Sequence, residues 1–123
     1  YVRIILERFK QKGVAMCVAT STDKSIADEI LARLGIRDYF SSIVTWKDAG
    51  CGKVDPEVFK YAQSVIGTPT EETIVLEDGL LAVKGAKEAG FYVIAVADDN
   101  EKENRAKIQK AADRFIESFE ELL

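Results

Sequence analysis

Histidine is absent from the 123 residues. That removes every Ser-His or Cys-His nucleophile device and every histidine-ligated metal site. Cysteine is scarce: Cys17 lies in an apolar run and Cys51 in a glycine-flanked turn. Two such residues make neither a disulfide framework nor a zinc cluster, so both are expected to be reduced. No apolar run approaches the roughly 20 residues of a membrane span, and no signal peptide opens the chain, which predicts a cytoplasmic protein with no membrane partner. The 17 basic residues are scattered and the formal charge is −4. Without a basic stripe to track a phosphate backbone, nucleic acid is not an expected partner. Internal repeats, low-complexity tracts and long linkers are missing too. What remains for chemistry is carboxylates, hydroxyls, lysines and a hard metal.

Apolar residues make up 47% of the chain, enough for a core, and its length suits one compact domain spanning residues 1–123. The sequence opens on Tyr1 and enters at once an amphipathic helix, "YVRIILERFKQKG", which predicts a fragment. Val2, Ile5, Leu6 and Phe9 hold helical spacing up to Gly13, a natural terminator. "VAMCVAT" (14–20) is a continuous apolar run, the mark of a strand covered on both faces. Helical period returns over 25–35 through Ile26, Ile30, Leu31 and Leu34. "SSIVT" (41–45) reads as a short strand, and Pro56 opens a helix through Phe59, Ala62 and Ile66. A strand over 72–78, a helix over 80–90 and a strand over 92–98 follow. A polar helix over about 101–110, an edge strand "RFIES" and a terminal helical turn complete the chain. Such alternation predicts an α/β fold, a three-layer α/β/α arrangement around a parallel Rossmann-like sheet.

Ligands of such sheets bind beyond the carboxyl ends of the strands. The first strand ends in "ATSTDKS", where Ser21, Thr22 or Asp23 can cap the next helix. The same residues can instead cradle a phosphate at a helix N-terminus. Lys53, in "WKDAGCGKVDPEVF", is either a solvated lysine in a turn or a cation held over the sheet's end. A nucleotide P-loop is excluded: its first glycine should fall at Lys47, and Val54 stands where Ser or Thr must meet magnesium. Trp46 and Asp48 could line a cleft mouth, with Trp46 expected to pack over a loop. The third strand ends on Glu77 and Asp78. Two carboxylates there are costly to desolvate unless a cation or donors meet them, and Mg²⁺ takes one or two carboxylates plus waters and a phosphate oxygen. The pair is therefore expected to hold a metal. "ADDN" (97–100) is expected to cap the next helix.

Taken in order, the hydroxyl, the lysine and the acidic pair resemble the haloacid dehalogenase superfamily of phosphatases and phosphomutases, in its beta-phosphoglucomutase-like and phosphoglycolate phosphatase-like branch. "VAMCVATS" resembles its second motif, "GKVDPEVF" its third and "IVLEDGLLAVKGAKEAGFYVIAV" its fourth. The resemblance implies that Thr20, with Ser21 beside it, binds the transferring phosphoryl group, that Lys53 neutralises phosphate and nucleophile, and that Asp78, helped by Glu77, ligates Mg²⁺. It further implies attack of an aspartate on a small phosphorylated metabolite, through an aspartyl-phosphate. Val54, Gly79 and Ala82 depart mildly from the pattern. The family's first motif, Asp-x-Asp-Gly-Thr, and its helical cap are nowhere in these residues, so the chain alone is expected to be inactive. The strand carrying that motif lies in the family between the strands matching 14–20 and 73–78. Those two strands are expected to pair directly, or to be bridged by another chain, as in a homo-oligomer, or by a further N-terminal segment. A catalytically dead anion-binding module is the alternative, and a receiver-like or flavodoxin-like domain is disfavoured by the order of its acidic and lysine residues.

Overall fold

The computed structural model describes residues 1–50 and 56–123. Cys51 and Lys53 lie outside the described residues. Five strands and five α-helices alternate: α1 (Val2–Gln11), β1 (Val18–Thr20), α2 (Lys24–Arg33), β2 (Ile43–Thr45), α3 (Pro56–Ile66), β3 (Ile74–Glu77), α4 (Leu80–Glu88), β4 (Tyr92–Val96), α5 (Arg105–Ala111) and β5 (Arg114–Ile116). Short 3₁₀ turns at Arg37–Tyr39, Thr70–Glu72, Asp99–Asn104 and Phe119–Leu122 join them. All pairings are parallel, as expected.

The strands form two sheets rather than one, β1-β2 and β3-β4-β5. Residues 14–20 and 73–78 do not pair directly, so that part of the expectation is corrected. The reason shows in the floor beneath them. Helices α3 and α4 pack on each other, α3 against β1 and β2, α4 against β3 and β4. A single apolar cluster runs through Val44, Phe59, Ala62, Val83, Val93 and Ile108, with Cys17, Ala19 and Val75 at its margin. Each sheet is thus anchored over its own helix, and β1 and β3 are held apart. Fully buried side chains such as Val83, Val93 and Phe91 are each worth about 1.5–3 kcal/mol relative to exposure.

Side chains alternate faces along a strand, and Ile43, Ile94 and Ile116 are buried outside that cluster. The second face is therefore covered at β2, β4 and β5. At β3 it is open: Ile74 and Leu76 are 55% and 41% exposed. The apolar run 14–20 likewise contributes a strand only over its last three residues, and Val14 is exposed. Its bonding to the β2 segment starts at Met16, whose carbonyl accepts from the Ser41 N–H at 2.8 Å. None of residues 14–20 is fully buried, so the run is not covered on both faces as its composition predicts.

Helix ends follow the sequence closely. Gly13 and Gly35 have φ of 76° and 73°, a region that favours glycine, and stop α1 and α2. In α2 the apolar period does not mark the core: Ile26, Ile30 and Leu34 are exposed, while Ala27 is buried. Helix α1 is tied to the β1-β2 side by Arg3 donating to the Leu34 carbonyl at 2.9 Å and Tyr39 donating to Glu7 at 2.7 Å.

Candidate functional site

The end of β1 forms a tight turn. The Thr20 hydroxyl accepts the N–H of Thr22 at 3.0 Å, and Ser21 is exposed. Asp23 occupies the N-cap position of α2 without a side-chain capping bond. The capping role expected of Ser21, Thr22 or Asp23 is therefore not realised, and the first N–H groups of α2 have no side-chain cap among the described residues. Beyond β2, Asp48 accepts the Thr45 N–H at 3.0 Å and meets Lys24 Nζ at 3.1 Å. That N–H, then Lys24, holds the Asp48 carboxyl below its ordinary range. Trp46 packs half-buried against the core as well as following the loop.

The acidic pair ends β3. Glu77 is half-buried and its Oε2 accepts the Asp78 N–H at 3.2 Å. Burial pushes its carboxyl up, with the Asp78 charge adding to the rise. Asp78 is also raised, first by burial and then by the Asp98 carboxyl hydrogen-bonded to it. Among the described residues no lysine or arginine forms an ion pair with Glu77, Asp78 or Asp98. Carboxylates raised by burial and by neighbouring acid, with no lysine or arginine ion-paired to them among the described residues, are a donor set suited to a hard divalent ion. Among the described residues no group of three or more acidic, cysteine or histidine side chains is arranged to hold a metal unaided. Mg²⁺ fits such a partial set, because it keeps waters and takes phosphate oxygens.

Asp98 was expected to act as a cap, and it does: it accepts the Asn100 N–H at 2.8 Å. Its approach to Asp78 is the feature that strand-by-strand reading missed. The signal lay in two strands both ending in acid, which became adjacent once Glu77 paired in register with Ala95. Thr20 and Ser21 sit at the carboxyl end of β1, Glu77 and Asp78 at that of β3. No hydrogen bond joins the two groups among the described residues. A wider groove of about 590 Å³ opens beside α2, between Lys24, Asp28, Arg37 and Ser42. Its Arg37 and Lys24 are engaged in the Arg37–Asp28 and Lys24–Asp48 pairs.

Parallel strands with flanking helices, and a hydroxyl and carboxylates at strand ends, define an α/β protein on a Rossmann-like scaffold. The sequence profile of haloacid dehalogenase-like hydrolases matches residues 2–90, and the chain belongs to that family. It is 36% identical over 90 residues to a phosphorylated carbohydrates phosphatase of Thermotoga maritima, covering 73% of this chain and 42% of that protein. It is 30% identical over 119 residues to a glyceraldehyde 3-phosphate phosphatase of Methanocaldococcus jannaschii, covering 96% of this chain and 51% of the relative. Among solved structures, CbbY from Rhodobacter sphaeroides in complex with phosphate superposes with a TM-score of 0.86 at 26% identity, over 98% of this chain and 54% of that one. The chain thus spans about half the length of these relatives.

Proposed function

We propose that the chain forms the Thr20, Lys53 and Glu77-Asp78 side of a Mg²⁺-dependent phosphoryl-transfer site, a phosphatase or phosphomutase for small phosphorylated metabolites. The observation that carries this reading is the pair Glu77 and Asp78 at the end of β3, raised by burial and without a basic partner among the described residues. Glu77 and Asp78 are the residues that would hold Mg²⁺, which when bound supplies positive charge against the phosphate oxygens. The Thr20 hydroxyl and Ser21 would bind the transferring phosphoryl group at the start of α2, where the helix dipole favours an anion. Lys53 would neutralise phosphate and nucleophile. The named activities of the relatives on phosphorylated carbohydrates and glyceraldehyde 3-phosphate support this substrate class, as does the xylulose-1,5-bisphosphate complex of CbbY.

The nucleophile is not among these residues. In the reading adopted here an aspartate from a further N-terminal segment attacks phosphorus, the substrate alcohol leaves, and water hydrolyses the aspartyl-phosphate; a mutase instead returns the group to another hydroxyl. That segment, or a second copy of the chain, would cover the facing edges of β1 and β3. The chain alone would then be inactive, one domain of a larger cytoplasmic enzyme.

Hydrolysis of an aryl phosphate with Mg²⁺, by this chain and by the chain extended upstream in its own gene, tests the proposal. Activity confined to the extended form and abolished by Asp78→Asn is the expected result. Silence of both forms would overturn it in favour of a catalytically dead anion-binding module.

A further inference from the structure

Helix α2 keeps most of its apolar surface outside the core. Of its residues only Ala27 is buried, with Leu31 half-buried one turn on. Ile26, Ile30 and Leu34 recur at every fourth position and are 51%, 40% and 59% exposed. Single exposed apolar side chains are ordinary, whereas large ones aligned in a row mark a contact surface. The row is about 12 Å long and follows the i, i+4 ridge by which helices commonly pack, at about 8–10 Å between axes. Glu29 and Arg33 flank it together on one side. Both are exposed, and neither takes part in an ion pair among the described residues. Lys24 and Asp28 of the same helix, by contrast, are paired within the chain, to Asp48 and Arg37.

We propose that this face of α2 docks on the same face of a second copy of the chain, with the two helices antiparallel about a two-fold axis at Ile30. The row is its own complement in that arrangement, as a two-fold interface requires: Ile26 meets Leu34 of the second copy, and Ile30 meets its own counterpart. Charge selects the direction. Antiparallel packing brings Glu29 and Arg33 of the second copy to the same flank, about 3 Å apart along the axis, so that two Glu–Arg pairs form across the contact. Parallel packing would oppose Glu29 to Glu29 and Arg33 to Arg33, which is repulsive. It would also set like helix-dipole ends side by side. One helix from each copy buries less than the roughly 800 Å² per partner of a standard interface, so the association is weak and concentration-dependent. Nothing in this contact requires a metal or a phosphate.

Sedimentation velocity of this chain over a micromolar-to-millimolar series, with thermal unfolding to confirm that each variant folds, tests the contact. The sedimentation coefficient of wild type is expected to rise with concentration toward that of a dimer. Ile30→Glu sets a charge at the centre and should weaken association at least about tenfold, with an unfolding midpoint near that of wild type because Ile30 lies outside the core. Arg33→Glu should weaken it about fivefold or more, since the two-fold axis counts each lost pair twice. The double variant Glu29→Arg with Arg33→Glu should restore it. A monomer at every concentration would overturn the proposal and leave the row to a different partner. Association undiminished by Ile30→Glu would overturn it as well, in favour of contact through the open edges of β1 and β3. Should Ile30→Glu fail to fold, the charges decide: weakening in Arg33→Glu with restoration in the double variant supports the contact, and any other pattern overturns it.

Discussion

Asp78 is held in a place that is poor for stability and suited to binding. Desolvation, then the Asp98 carboxyl beside it, raises its proton affinity in the fold above that in the unfolded chain. For a carboxyl shifted in that direction, ionisation opposes folding above the raised value, and the penalty is relieved as pH falls toward the unfolded value. Asp78→Asn removes the penalty and keeps a side chain of the same shape. In metal-free buffer at pH 7 this variant is expected to melt above wild type. The gain should shrink as pH falls toward 4, and added Mg²⁺ should raise the midpoint of wild type but not of the variant. A lower midpoint for Asp78→Asn at pH 7 would show that Asp78 is structural.

At the scale of the element, the three-stranded sheet is locked at its far edge by one side chain. Asp113, entering β5, accepts the Val93 N–H at 2.8 Å and the Lys87 ammonium at 2.8 Å, so that α4, β4 and β5 meet at a single carboxylate. Lys87 first, then the Val93 N–H, lowers the Asp113 carboxyl. Asp113→Ala leaves the N–H of buried Val93 without its acceptor and should lower stability at pH 7 by about 1–3 kcal/mol in urea unfolding. With the folded value depressed, this contribution is complete above the unfolded value near 3.8 and disappears as pH falls through the folded one. The difference between Asp113→Ala and wild type should therefore narrow in urea titrations run at pH 2. A difference independent of pH would mean that packing rather than the carboxylate holds the edge.

At the scale of the whole molecule the decisive feature is the separation of the two sheets. Strands β1 and β3 each keep one edge unpaired, above a helical layer that is continuous beneath both. Unpaired edges present backbone donors and acceptors to any strand that can enter. Hydrogen exchange should show fast amides in β1 and β3 relative to β4, which is paired on both sides. In the chain extended upstream, protection at both edges is expected to rise together. Slow exchange at β1 and β3 in this chain alone would indicate that copies of it already cover each other.

Much of this architecture was legible because it is set by local order. Gly13, Gly35 and Pro56 mark element ends through backbone constraints of their own, and the alternation of apolar runs with helical period is visible in any window of the chain. The acidic end of β3 stood out because two adjacent carboxylates directly behind an apolar strand need a reason wherever they occur. Apolar period misled at α2, where Ile26, Ile30 and Leu34 face outward: a pattern marks a face but not what covers it. The strand expected over 14–20 shrank to Val18–Thr20 because strand length depends on partners far away in sequence. The sequence alone therefore determined the order and type of the elements, the family motifs and the chemistry of the strand ends. Only the tertiary structure decided that β1 and β3 stand apart and that Asp98 meets Asp78, since both follow from how helices and strands distant in sequence pack across the sheet.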